Sequence, residues 1–533
     1  MYELVGDLRV PTEGGARVPI DVSAVESPGW WMKRLFDQLN DRRRRHRLQL
    51  LHDYYRGHAP LPAGAEAARD SFEGFQKKAR TNYAGMVVSA TSERMRIIGF
   101  RSAVDSDVTG DAAVAAVWRR AGMKIVQNQV HDKMLALGES YVIVGAVDEE
   151  TGAPLITAED PRAMIAEEAP GNPAKLLAAL KVLHDSALGE DRAYLFLPGQ
   201  VWVARRKRST NELPDHHLDY TIHATRRHVP LTLAFDPKSW EWDEDRSGRL
   251  AHGRLPVVKF SNHEGMGEFE SHTDVIDRIN HQVLQRMVIA TLQAWKQRAV
   301  KGLPDVYPDD HPNAGEPIDY SDVFTSDPGA FWQLPDAAEM WESQTVDLRP
   351  LLEAVKDDVI ALASVTRTPL HMLQPGGDNQ SAEGAASQRE GLVFKVENRI
   401  DLVTDSWNKV VALALLHLGD TERADLSKLE AIWAGAERLS LAEKADAASK
   451  AQNDMPRRTR LIKIWQLPPA EADQIMSEWE DEQLAQQLAI QAAANAANPA
   501  GAPPVPQPGQ PAGQQARPGT RQPPGDEDEQ EVS

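Results

Sequence analysis

The chain has 533 residues, 41% of them hydrophobic and 26% charged, with 59 Lys+Arg against 79 Asp+Glu and a formal net charge of −20. That length allows roughly two to four domain-sized units, and the composition is that of a soluble protein with a sizeable core. The acid excess argues against a protein that grips DNA phosphates over a broad basic surface, and the lack of cysteine excludes disulfides, thiolate metal sites and cysteine nucleophiles.

No stretch approaches the roughly 18 uncharged apolar residues of a membrane span. The opening MYELVGDLRVPTEGG has no basic-then-apolar signal pattern. The chain is therefore expected to be made in a cytoplasm, with no membrane partner.

Residues 1–25 read as an irregular, exposed arm. From Pro28-Gly29, helical spacing joins Trp30, Trp31, Leu35 and Leu39, then Leu48 and Leu51, around a basic block from Arg42 to Arg47. Ala79 to Arg96 reads as helix, Ile97 to Arg101 as a short strand, and 111–137 as helix up to the break at Gly138. Tyr141-Val142-Ile143-Val144 is a strand candidate. So are Lys181-Val182-Leu183, Tyr194-Leu195-Phe196, Val201-Trp202-Val203 and Pro256 to Phe260. No long helices separate the strands of 153–260, so antiparallel pairing is expected there.

A proline-free stretch from Glu268 to Val300 carries Ile276, Ile279, Val283 and Met287 on one face. Wholly helical, it would run about 45 Å. Pro304, Pro308, Pro312 and Pro317 mark a non-helical insertion, and a second helical pattern follows through Leu348, Leu352, Val355, Val359 and Val365. Gln374 to Ala386 reads as a small-residue loop, Val393 to Leu418 as helix, and 440–495 as polar helices. The Pro/Gln-rich acidic tail 496–533 is too poor in apolar residues to offset the entropy of ordering.

The search for catalytic groups is negative. There is no GxxxxGK[ST] phosphate cradle, no HExxH and no GxSxG. Gly138-Glu139-Ser140 lacks the second glycine of a nucleophile turn, and Gly265-Met266-Gly267 lacks the third glycine of a dinucleotide loop. The acidic runs Asp243-Glu244-Asp245 and Asp309-Asp310-His311 are read as solvated loop charge in preference to cation sites. The block Arg42 to Arg47 is read as a helix face pairing with nearby carboxylates, in preference to a DNA contact. No catalytic, cofactor or metal residues are assigned, and the chain is expected not to be an enzyme.

Five segments, in this order, resemble the portal family of siphovirus-type tailed phages. They are LQLLHDYYRGHAPLP (48–62), TNYAGMVVSATSERMRIIGFR (81–101), ALGESYVIVG (136–145), LPVVKFSNHEGMGEFESHTDVIDRINHQVLQ (255–285) and DNQSAEGAASQREGLVFKVENRI (378–400). A tryptophan-bearing helix around Trp118 stands between the second and third. The resemblance covers roughly residues 30–420; residues 146–255 and 300–345 carry no matching motif. It implies an α+β, helix-rich portal architecture. Residues 26–267 would be the wing, 268–300 and 346–367 paired stem helices, 301–345 the clip between them, and 368–386 the tunnel loop. A wing helix would follow at 387–419, and crown helices at 420–495.

The resemblance also implies a function. A ring of about twelve copies would sit at one capsid vertex of the virion and pass double-stranded DNA during packaging and ejection. Its implied partners are the terminase large subunit, head–tail adaptors, and major capsid and scaffolding proteins. Gln374, Asp378, Asn379, Gln380 and Ser381 would line the tunnel without positive charge. Tyr307, Phe331, Trp332 and Trp341 would be docking aromatics, or equally core within the subunit. Ile276, Ile279, Val283, Met287, Leu352, Val355 and Val359 would pack the stem. The competing readings are another head–tail adaptor or minor capsid protein, and a metal-dependent DNA-processing enzyme.

Overall fold

The computed structural model describes residues 20–62, 69–104, 110–185, 187–207, 235–294, 298–320, 338–342, 344–374, 382–437 and 441–497. Local side-chain chemistry sets several helix starts. Ser27 Oγ accepts the Trp30 N–H (3.2 Å) at the head of α1 (Pro28–Leu39), where Pro28 supplies a pre-set φ. Asp41 Oδ1 does the same for Arg44 N–H (2.8 Å) in α2 (Arg42–Tyr55). After α3 (Arg69–Ala79), Asn82 Oδ1 accepts Gly85 N–H (2.9 Å) to start α4 (Tyr83–Ser92). Strand β1 (Ile97–Arg101) then leads to α5 (Ala112–Arg120), capped by Asp111. α6 (Met123–Leu137) follows a left-handed Gly122.

Thus the helical pattern expected over 28–55 is broken at the Asp41 cap, and that over 111–137 at Gly122. Ile20 corrects the reading of an exposed arm. It is 2% exposed, packs with Met32, Leu35 and Phe36, and its N–H donates to Pro237 O (3.2 Å).

The strands form two principal antiparallel sheets. β2 (Glu139–Asp148) lies centrally between β3 (Ala153–Glu159) and β10 (Val257–Ser261). The larger sheet runs β4 (Met164–Ala169), β5 (Asn172–Asp185), β6 (Glu190–Leu197), β7 (Gln200–Lys207) and β8 (Glu241–Trp242), with β9 (Gly248–Arg249) also paired to β7. The period of two decides its faces. Leu180, Val182, Ala193 and Leu195 pack with α1 and Trp240, while Ala179, Phe196, Val201 and Val203 pack with Tyr141, Ile143 and Val257. The sheet is therefore buried on both sides, by a helix on one and by the smaller sheet on the other.

The remaining elements are α7 (Thr273–Ala294), β11 (Arg298–Lys301), β12 (Glu339–Glu342), α8 (Arg349–Val365), α9 (Leu370–Leu373), α10 (Ala382–His417), β13 (Glu430–Trp433), α11 (Leu441–Lys450), α12 (Arg457–Lys463) and α13 (Pro469–Ala497). Several bounds correct the sequence reading. The helix expected over 268–300 occupies 22 residues, because 270–272 form a tight 3-10 turn and 298–301 pair as a strand with β12. The helix expected over 346–367 is Arg349–Val365. The loop expected up to Ala386 ends sooner, since α10 begins at Ala382, in a stretch where Ala382, Glu383, Ala385 and Ala386 favour helix. Within 420–495, read as helices, β13 pairs antiparallel with β1.

The main core joins these elements: Phe100, Met134, Phe260, Ile276, Val359, Leu392 and Trp407 belong to one buried cluster. The chain divides after Asp473 into two units, Met1–Asp473 and Gln474–Ser533. The described part of the second is the remainder of α13, where Leu484, Leu488 and Ile490 are exposed.

Candidate functional site

Helices α7 and α8 lie side by side and antiparallel. Arg278 Nη2 and Gln282 Nε2 donate to the two oxygens of Asp358 (2.6 and 2.9 Å), and further along α7 Gln293 Nε2 donates to Val346 O (3.2 Å). Of the expected packing residues, Ile276, Ile279 and Val359 are fully buried, while Val283 and Val355 are half-buried against the main core. Met287 is half-buried, and Leu352 is exposed. The apolar seam is thus concentrated at the start of α7 and the end of α8; the opposite ends of the pair are open to solvent.

The start of α7 is fastened from several sides. Tyr54 Oη donates to Asp277 Oδ1 (2.7 Å), and Thr81 N–H donates to Asn280 Oδ1 (3.0 Å). Burial and the Asp277 carboxylate push the Tyr54 phenol up, and burial pushes Asp277 up as well. Arg47 binds Glu270 through Nε (2.5 Å) and Nη2 (2.6 Å), and the same Nη2 reaches Gly265 O (2.7 Å). The paired fork fixes both position and direction of the turn before the helix.

A second cluster stands behind that turn. Arg399 Nε donates to Glu268 Oε1 (2.6 Å), Lys395 Nζ lies 3.7 Å from Glu268 Oε2, and Lys395 donates to Thr366 O (2.9 Å). Burial works against the Glu268 carboxylate, but Lys395 and the Arg399 hydrogen bond outweigh it and hold its pKa below the ordinary value. Burial brings the Lys395 ammonium down to about 8. These charges tie α10 to the foot of both paired helices. Sequence reading missed all three. The available signal was Lys395 and Arg399 four apart on one helix face, inside an otherwise apolar run.

Between the paired helices, β11 and β12 form an antiparallel ribbon with Ala299 opposite Trp341. Beyond it a turn is closed by the bridge of Val306 and Pro317 and by Tyr320 Oη donating to Pro304 O (2.8 Å). Tyr307 stacks on His311, their rings 4.2 Å apart. Trp341 is 56% exposed, so it is surface and not core of the subunit. Phe331 and Trp332 lie outside the described residues. Gln374 ends α9, its N–H donating to Leu370 O (2.8 Å); Asp378, Asn379, Gln380 and Ser381 lie outside the described residues.

Two arginines of the basic block pair inward. Arg44 donates to Glu139 (2.7 Å) and Pro161 O (2.8 Å), and Arg47 binds Glu270, while Arg42 and Arg43 are exposed. Ser140 Oγ, the nearest serine to a nucleophile pattern, donates to Val130 O (2.9 Å) inside the core. Gly265 takes a left-handed φ of 65°, and Gly267 serves close packing. A Cβ on Gly267 would stand 2.5 Å from Ala136 O. Among the described residues no group of three or more His, Asp or Glu could hold a metal ion, and no helix is long and apolar enough to cross a membrane.

Comparison with known proteins finds relatives over most of the chain. The portal protein of Mycobacterium phage D29 is 24% identical over 436 residues, covering 77% of this chain and 80% of its own. That of Mycobacterium phage L5 is 22% identical over 438 residues, covering 78% and 81%. A solved neck of a native GTA particle, computed with C12 symmetry, aligns over 79% of this chain and 99% of its own at 11% identity and a TM-score of 0.39. The family model described as "Phage portal protein, SPP1 Gp6-like" matches residues 36–485, and the chain belongs to that family of structural proteins.

Proposed function

We propose that this portal subunit forms one wall segment of a ring of about twelve copies at a capsid vertex, through which double-stranded DNA is packaged and ejected. The observation that carries the reading is the antiparallel pair α7 and α8 bracketing the β11–β12 insertion. In this assignment the pair is the stem, 301–345 the clip, 26–267 the wing, and 387–419 the wing helix. Residues 368–381, up to the start of α10, form the tunnel loop, in which Gln374, Asp378, Asn379, Gln380 and Ser381 carry no positive charge. Residues 420–495 form the crown, its first stretch holding β13, which pairs back onto β1 in the wing.

The chemistry suits passage without adhesion. Each phosphate contact adds salt-dependent affinity, and a ring multiplies it by the number of subunits. A chain of net charge −20, with Arg44 and Arg47 of its basic block turned onto Glu139 and Glu270, offers DNA few grips. Terminase and head–tail adaptors dock on the clip, where Tyr307 and Trp341 supply aromatic surface, with Phe331 and Trp332 beside them in sequence. Major capsid and scaffolding proteins are the other partners in this reading. Negative-stain images of purified protein test the core of this reading: rings with a central hole are expected, and compact single particles at every concentration would overturn it.

A further inference from the structure

Helix α8 ends in a way that costs the fold something. Arg367 N–H donates to Ser364 O (3.2 Å) and Thr368 N–H to Ala363 O (2.9 Å), the double closure that normally uses glycine at its left-handed position. Here the position is Arg367, at φ 50°. Glu264 is also left-handed, at φ 53°. Both line the same cavity of about 520 Å3, with Lys395, Arg399 and Glu268 also in its wall. Only four non-glycine residues among those described have positive φ, so two at one cavity is a concentration of strain. Such strain gathers where the side chain has work to do.

The charges at this cavity are unevenly satisfied. Glu268 is taken by Arg399 and Lys395. The Arg367 side chain is exposed and makes no hydrogen bond or ion pair with the described residues. Beside it Val365 is 51% and Phe394 57% exposed, an apolar margin that would exclude water once covered.

We propose that the cavity receives a carboxylate side chain of a second copy of this chain, gripped by the Arg367 guanidinium and sealed by Val365 and Phe394. The argument is charge complementarity. Among the described residues the Arg367 guanidinium is unpaired, beside the buried Lys395 and the half-buried Arg399, and with 79 Asp+Glu against 59 Lys+Arg a neighbouring copy presents carboxylates more often than cations. A carboxylate arriving there also relieves Lys395, whose ammonium is disfavoured chiefly by burial and further by Arg399 and Arg367. The inference rests on the ring reading above and deepens it by naming a contact between copies.

The test is Arg367→Gly, which suits the left-handed backbone and so should fold at least as well as wild type. Melting temperature and ring fraction are measured on the same full-length protein, the latter by light scattering against concentration. The expected result is an unchanged or higher melting temperature, with about tenfold or more protein needed for the same ring fraction. Arg367→Lys, which keeps the charge but loses the fork, should fall between. Rings that form at the wild-type concentration in Arg367→Gly overturn the proposal. Titration of inorganic phosphate separates a free anion from a neighbour's carboxylate. Phosphate binding lost in Arg367→Gly with assembly intact also overturns it. Wild-type protein that stays monomeric throughout overturns the ring reading, and this inference with it.

Discussion

Trp407 Nε1 donates a 3.0 Å hydrogen bond to His131 Nε2, joining α10 to α6 across 276 residues in the middle of the main core. Trp118, Phe260 and Trp433 surround the pair, with Trp118 edge-on to Trp407 and Trp433 beside His131. Trp407→Phe removes the donor and leaves a buried imidazole nitrogen unpaired. The expected cost is about 2–4 kcal/mol, read as a lower midpoint in urea unfolding.

The same histidine should make the protein acid-labile. Full burial brings His131 down to about 3, against an ordinary value of 6.5. The unfolded chain takes up the proton from pH 6.5 downward, while the folded one resists until about 3. The stability tied to neutral His131 is therefore complete above pH 6.5 and is lost progressively as pH falls from 6.5 toward 3. His252, held down to about 4 by burial and by His417, acts in the same direction over the upper part of that window. Unfolding free energy measured from pH 7.5 to 4.5 should decline, and His131→Gln should flatten the decline.

Pairing of α7 with α8 should depend on burial far more than on charge. Ile279 is wholly buried, whereas Arg278, the partner of Asp358, is half exposed. Ile279→Ala should cost about 2–4 kcal/mol, and Arg278→Ala far less, because a solvent-screened ion pair contributes little. Urea unfolding of the two variants side by side checks the ranking.

Gly138 has two reasons to be glycine. Its φ is 87°, and an added Cβ would meet Gly265 O at 2.2 Å. Gly138→Ala should destabilise by about 3 kcal/mol or more and show as a loss of soluble protein at 37 °C.

Trp341→Ala should leave stability within about 0.5 kcal/mol of wild type, since the side chain stands in solvent. If the clip is the docking surface, the same variant should weaken terminase binding in a surface-plasmon assay by at least about tenfold.

Much of the fold was readable from local pattern. The period-two faces of β5 to β7 stand in the sequence as Leu180 and Val182 against Ala179, and the apolar seam of α7 as Ile276 and Ile279. The unread parts share one property: their cause is distant in the chain. β13 is four residues long and becomes a strand because β1 is there to pair with it. The Glu268, Lys395 and Arg399 cluster assembles only when α10 crosses the turn before α7. The left-handed Arg367 breaks a local preference outright, which no pattern of propensities anticipates. Only Gln374 of the residues expected to line the tunnel is among those described, and it caps α9.

The β1–β13 ladder also sets a timetable for biosynthesis. Arg101 and Glu430 pair across 329 residues, so Phe100 and Trp118 leave the ribosome long before Trp407 and Trp433 arrive to cover them. At bacterial translation speeds that interval is roughly 20–60 seconds. For that time the nascent chain shows bare aromatic surface to the cell, and a message truncated ahead of Trp433 yields a polypeptide that never closes its centre.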